Sequence, residues 1–341
     1  MGHVFDELVR RTRGTAIVLE VPDARLALCP TLGGRLFAEL AGQFLHRVDL
    51  AAVAHPNNPF NNFGGNNFWP APEGGKFGFN YRGDEWYVQP CINSQPFEKL
   101  WAEMSAAAVQ KQVTLTNRAG VTVTAAMRRE LRLGPLPPWL SQAGAEQAFS
   151  YVTRDSFTVL GSTPVEEALI AAWSLEQFRA TAGTTAFCLV EQPEAAINFD
   201  YYEHPAERIT YHQHGLTYRT DGQRRGQIGI RAGAGARCIG FYDVPARLLC
   251  VRENRGAGGG IYFNVADNDQ PQGPYSAADS YSIFNSNPDM GAFELETVGA
   301  AQVEQGILKG SELSSATSFL AFPDSSALER FLEEQLGPKE A

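Results

Sequence analysis

Residues 61–80 read NNFGGNNFWPAPEGGKFGFN, a run of amides, glycines and prolines around one tryptophan that follows neither a helical nor a strand period. Gly and Pro interrupt regular elements, and Asn satisfies its amide locally or through a ligand, so the run is expected to be a stiff, displayed loop. Aromatic faces, planar amides, carboxylates and guanidinium forks are the groups that grip a polyhydroxylated molecule. Asn66, Asn67, Trp69 and Glu73 bring them together within eight residues, with Lys76, Arg82, Trp86 and Gln89 close behind. Gly64 and Gly65 admit a close approach of backbone to ligand, and Pro70 and Pro72 reduce the entropy lost on binding. A structural role competes for the tryptophans: Trp69 and Trp86 would plug a core beneath the loop while the Asn side chains cap turns.

A second candidate is YHQH at 211–214, where His212 and His214 stand two residues apart and would share one face of a strand. That spacing suits proton transfer or a metal, but no third ligand of matching type lies nearby, and a polar strand face explains the pair equally well. His46, His55 and His204 fall in loop-like contexts and are given no role. The five cysteines are widely spaced with no CxxC pair, and Cys29, Cys188 and Cys250 sit in apolar strand-like surroundings. They are read as buried, reduced thiols, with no metal and no cofactor expected.

Strands must position these groups. Short period-two segments broken every eight to twelve residues by turn residues mark an all-β chain. TAIVLEV (15–21) and ARLALCP (24–30) flank Pro22-Asp23, and residues 111–133 read as a hairpin turning at Asn117 to Gly120. Helices are predicted only near Val4 to Arg13 and over Ser326 to Leu336, the latter closed by Gly337. Burying so many strands without intervening helices requires packed antiparallel sheets. LGPLPPWLSQAGAEQ (133–147) is taken as a long loop, because strand patterning resumes after it, and residues 1–341 are read as a single domain with short terminal helices.

Composition narrows the partners. With 44% hydrophobic and 19% charged residues the chain is globular in type, and apolar runs such as Ala168 to Trp173 are too short to span a bilayer. A formal charge of −10 argues against nucleic acid as partner. The first residues, MGHVFDELVRRTRG, lack the apolar region of a secretory signal, so a cytoplasmic location is the expectation.

Three segments in order resemble one family. CPTLGGRLFAELAG (29–42) resembles the first strand pair of aldose 1-epimerase, or galactose mutarotase-like, proteins, joined by a Gly-Gly-Arg turn. FELETVGAAQVEQG (293–306) is similar to the segment whose Leu-Glu-Thr or Leu-Glu-Pro tripeptide carries the catalytic base. EEALIAAWSLEQF (166–178) stands where those enzymes have Asn-His-x-Tyr-Phe-Asn-Leu, and GGNNFWPAPEGG is closer to uncharacterised relatives with a Gly-Gly…Trp-Pro-Ala-Pro-Glu loop. The resemblance implies a large antiparallel β-supersandwich with a sugar-sized cleft on its concave face. It implies Glu296 as base, and Arg35, Trp173 and Gln177 beside Asn66, Asn67, Trp69, Glu73, Lys76, Trp86 and Gln89 as substrate contacts.

Mutarotation needs a base for the O1 proton and an acid for the ring oxygen. The family's histidine is missing, and Ser174, Glu176 and Gln177 occupy its place, so the acid falls to a protonated Glu176 or to His212 or His214. Glu294 is assigned to the opposite face of its strand from Glu296, and a solvated strand carboxylate is the competing account of Glu296. Two further readings stand beside an epimerase: a non-catalytic carbohydrate-binding protein, and a polysaccharide lyase-like enzyme, which the negative charge disfavours. All three take a sugar or sugar derivative as partner.

Overall fold

Alternation fixes the longest hairpin. Val113, Leu115, Val123, Ala125, Met127 and Leu131 are buried between more exposed neighbours, and the strands Ala106–Thr116 and Thr122–Gly134 pair in register around Asn117. Asn117 Oδ1 accepts the Val121 N–H at 3.0 Å, and Gly120 takes φ +85°, which only glycine adopts without strain. The computed structural model describes residues 4–56, 60–202, 205–256, 260–262 and 279–339. Among these, the strands form a ten-stranded and an eleven-stranded antiparallel sheet and one small two-stranded hairpin.

The path across the ten-stranded sheet runs through Ile17–Val21, Ala24–Cys29, Arg35–Leu40, Gly65–Ala71, Ala171–Arg179, Ala292–Val298, Asp279–Asn285, Gly226–Arg231 and Ile197–Asn198. Its inner face packs on the eleven-stranded sheet. Phe178 lies against Phe241, Phe293 and Phe319 at 4.6, 5.5 and 6.1 Å, bringing rings from both sheets together. Each aromatic pair adds about 0.5–1.5 kcal/mol beyond the area it buries. The N-terminal helix Val4–Arg11 buries Phe5 and Leu8, and the C-terminal helix Ser325–Leu336 lays Leu328, Phe331, Leu332 and Leu336 over Phe187 and Leu249. Short helical turns also occur, among them Pro138–Ser141 within the expected long loop.

The run 61–80 departs from expectation, because Gly65–Ala71 is a fully buried strand near the middle of the sheet. Asn, Gly and Pro are weak strand formers, and here the pairing of residues 65–71 with Ala171–Arg179 overrides local preference. The glycines answer to the fold as well as to the space beside them. A Cβ on Gly64 would stand 2.1 Å from the Arg47 carbonyl oxygen, and one on Gly65 2.5 Å from that of Leu36.

A polar seam runs between the sheets. Glu176 takes bonds from Arg252, from Tyr151 Oη at 2.5 Å and from Thr317 Oγ1 at 2.9 Å, with His46 Nε2 at 2.9 Å. His46 Nδ1 accepts the Ala38 N–H, so the imidazole carries its proton on Nε2 and donates it to Glu176. Arg129 grips Asp155 through two bonds of 2.7 and 2.9 Å and donates to Asn66 Oδ1 at 2.7 Å. All four ionic groups are fully buried.

Candidate functional site

The face of the ten-stranded sheet turned away from its partner carries a cleft of about 480 Å³. Strand parity decides what enters it. Ser174 and Glu176 point inward to Arg252, so Trp173, Leu175 and Gln177 point outward. Asn66 points inward to Arg129, so Gly65, Asn67 and Trp69 face the cleft. Thr297 bonds Arg252 and Ser315 on the inner side, so Glu296 faces outward, and Glu294, two residues away, does the same. The assignment of Glu294 to the opposite face is therefore corrected: with a side-chain period of two, alternate residues share a face.

The register lays these groups out in rows. Gln177 lies directly across from Gly65 on one side and Glu294 on the other, and Phe284 and Gln227 continue the row. One step along, Asn67, Leu175, Glu296 and Ser282 form the next, and Trp69 faces Trp173 in a third. Each carboxyl on the cleft has a fixed orientation. Glu296 accepts the Trp173 indole N–H at 3.0 Å and bonds from Gln227 Nε2 at 3.3 Å, while Glu294 accepts from Gln177 Nε2 at 2.6 Å. Gln177 is turned by Arg47, which donates to its Oε1 at 3.1 Å. At the rim Glu73 accepts the Trp86 indole N–H at 3.0 Å.

Environment separates the two floor carboxyls. Burial, and then the charge of Glu294, pushes the Glu296 carboxyl well above the usual range, so of the two floor carboxyls it is the one that keeps its proton to the higher pH. Enclosure also raises Glu294, but the Gln177 N–H and the guanidiniums of Arg47, Arg225 and Arg35 oppose it, and Glu294 is the first of the two to ionise. Their Cβ atoms, two residues apart on one strand, are about 7 Å from one another. Such a pair offers one proton donor and one acceptor on a single floor. Arg35 adds a buried guanidinium at the cleft wall, lowered by burial to about 9 and still protonated, and held by the Leu32 and Asn93 carbonyls.

Of the residues singled out in the sequence, Glu296, Arg35, Asn67, Trp69, Glu73, Trp86, Trp173 and Gln177 line this cleft. The others lie elsewhere. Asn66 is on the opposite face of its strand, bonded to Arg129, Ser174 and Tyr151. Lys76 donates to the Glu166 carbonyl on the surface, and Gln89 latches Phe79 to Thr116. Glu176 sits in the inter-sheet seam. Burial alone would raise its pKa, but Arg252, His46 and Tyr151 outweigh burial and hold it at about 2, so it has no proton to give. His212 ends the Ile209–His212 strand and Gln213-His214 forms the following turn, whose His214 N–H donates to Leu336 at the C-terminal helix. The two imidazoles do not share a strand face, and neither borders the cleft. His46, given no role in the sequence, is the buried partner of Glu176, and His204 lies outside the described residues.

Sequence reasoning missed Glu294, Gln227, Arg225, Tyr202, Phe60 and Phe284, all at the cleft. Parity within GQIGIR would have found Gln227, because Ile228 and Ile230 claim the inner face. On the same sheet, Asp279 is fully buried and bonded by Asn198 Nδ2 and Tyr201 Oη at 2.9 and 2.8 Å. Burial raises it from 3.8 to about 6. A raised carboxyl contributes most below its unfolded pKa, and that contribution is lost as pH climbs toward the folded value. Asp279→Asn should therefore gain on the wild type between pH 4 and 6.5, by about 3 kcal/mol at the top of the window. Urea titrations at several pH values check this, and parallel curves for the two proteins would refute it.

Residues 7–318 match the model of a family of unknown function, DUF6786. No curated protein matches the sequence. Among solved structures, a candidate aldose 1-epimerase from Escherichia coli K12 superposes with a TM-score of 0.50 at 13% identity, over 90% of this chain and 98% of that one. A galactose mutarotase related enzyme from Lactobacillus acidophilus superposes with a TM-score of 0.50 at 8% identity, over 96% and 100%. The shared feature is the fold, a galactose mutarotase-like antiparallel β-sandwich.

Proposed function

We propose that this chain, which belongs to the DUF6786 family of unknown function, binds a carbohydrate in the cleft and interconverts its anomers by acid–base catalysis on Glu294 and Glu296. The observation that carries the reading is the oriented carboxyl pair on a floor walled by Trp69 and Trp173. In the ring-opening step the Glu294 carboxylate takes the O1 proton, the C1–O5 bond breaks as C1=O1 forms, and Glu296 gives its proton to O5. After rotation about C1–C2 the transfers reverse: Glu296 takes the O5 proton, O5 attacks C1 from the other face, and Glu294 returns a proton to O1. Neither residue is consumed. Glu296 thereby serves first as acid, the opposite of the role its motif suggests, because burial raises its carboxyl further than that of Glu294.

Asn67, Arg35 and Gln177 supply donors and acceptors for ring hydroxyls. The lack of an imidazole among the cleft-lining residues favours one alternative, a sugar-binding protein without turnover. Polarimetry separates the two. Freshly dissolved α-anomers of several hexoses and reducing disaccharides should relax faster with protein than in buffer, whereas relaxation at the buffer rate for every sugar, with binding intact, would leave only the binding reading. The rate should trace a bell, falling at low pH as Glu294 protonates and at high pH as Glu296 loses its proton.

A further inference from the structure

We infer that the cleft holds a second sugar ring at its rim, on Trp86 and Phe60, so that the preferred ligand is a reducing disaccharide or longer oligosaccharide. The inference rests on the carbohydrate reading above and adds the size of the ligand. Taking about 30 Å³ per liquid water as a yardstick, a hexopyranose occupies roughly the space of six waters, about 180 Å³. The cleft offers about 480 Å³. One ring over the carboxyl pair leaves most of it empty.

The remaining space is not walled at random. Aromatic rings climb from the floor to the rim, each edge-to-face with the next: Trp173 to Trp69 at 6.3 Å, Trp69 to Phe60 at 6.2 Å and Phe60 to Trp86 at 5.1 Å. Trp173 and Trp69 are buried at the bottom, whereas Trp86 is 40% exposed. An exposed tryptophan ordinarily turns freely. This one is pinned, because its indole N–H is bonded to Glu73 and its backbone lies in the hairpin of Tyr81–Arg82 with Glu85–Trp86. A flat apolar face held in place at a polar rim is what the C–H face of a pyranose requires. Opposite, Arg225 donates to the Tyr202 hydroxyl at 2.6 Å and lies 4.8 Å over that ring, closing the other side with a cation and a phenol.

Chemistry fixes the direction. The ring over Glu294 and Glu296 must keep a free anomeric hydroxyl, so the ring on Trp86 has to be joined through another of its hydroxyls. The floor therefore takes the reducing end and the rim the next unit.

The test compares glucose and galactose with maltose, cellobiose, lactose and melibiose by polarimetry. For at least one disaccharide, wild-type kcat/KM should exceed that of its reducing-end monosaccharide by about tenfold, a difference of about 1.4 kcal/mol. Trp86→Ala should bring that ratio close to one, and Trp86→Phe should restore most of it. Calorimetry with the matching methyl glycosides, which have no free anomeric hydroxyl, reads the subsite without turnover and should show the same preference. Ratios near one throughout, or a Trp86→Ala loss equal for one ring and two, would overturn the second subsite. Preferential glycoside binding with no accelerated relaxation upholds the subsite and refutes the anomer reaction. No binding of any sugar refutes both.

Discussion

Under the proposed function, Glu296→Gln is expected to lower the rate of anomer interconversion by about 10²–10⁴-fold, the usual weight of one positioned acid or base, and to leave the protein more stable than the wild type at pH 7 and above. The two effects share one cause. Glu296 is 1% exposed, and burial with the neighbouring Glu294 charge raises its pKa, so the native state keeps a proton that the unfolded chain releases. That preference costs stability as pH rises above the unfolded value of about 4.3, and an amide, which never ionises, removes the cost. Gln also accepts the Trp173 N–H through its carbonyl, so the floor keeps its shape. Activity by polarimetry and urea unfolding at pH 5, 7 and 8.5 are the measurements. A rate within threefold of wild type together with an unchanged stability curve removes the carboxyl pair from the chemistry.

Much of this architecture is legible in the chain because its signals are local and periodic. The alternation around Asn117 and the apolar spacing of Leu328, Phe331, Leu332 and Leu336 each specify an element without distant help. The Gly65–Ala71 strand was not legible, since Gly65, Asn66 and Asn67 ahead of Trp69 carry turn chemistry and only pairing on both sides makes them extended. Taking that stretch for a loop lost its parity, and with parity went the distinction between Asn66, turned inward to Arg129, and Asn67, turned to the cleft. His212 and His214 failed for the converse reason: alternation through ITYHQHGLTYR looks continuous, yet the chain reverses at Gln213 and His214.

The case of Glu176 shows where a motif position and a site part company. In the resembling enzymes the stretch 166–178 supplies an imidazole, and Glu176 is the titratable group that stands nearest to that place here. Its strand, however, alternates Trp173, Leu175 and Gln177 to the cleft, and so commits Glu176 to the space between the sheets. There it neutralises Arg252, which has no other carboxylate partner among the described residues. Arg252 in turn holds Ser174 and Thr297, the inward neighbours of Trp173 and Glu296. Glu176 thus supports the cleft from behind without touching what enters it.

Glu176→Gln is accordingly expected to destabilise the fold by about 3–5 kcal/mol at pH 7, the penalty for leaving one member of a buried ion pair without its counter-charge. The amide keeps one acceptor for Tyr151 or His46 but cannot neutralise the guanidinium of Arg252, and neither partner reaches water. The pH dependence has the sign opposite to that at Glu296. A carboxyl held at about 2 contributes stability above the unfolded value near 4.3 and loses it as pH falls through the folded one. Wild type and variant should therefore differ most at neutral pH and converge between pH 4 and 2, whereas Glu296→Gln diverges from wild type as pH rises. Urea denaturation followed across pH 2.5–7.5 reads both curves. A Glu176→Gln penalty below about 1 kcal/mol at pH 7, or a gap that widens toward acid, would mean that Arg252 finds its counter-charge elsewhere and that the seam is not what keeps Trp173 and Glu296 in place.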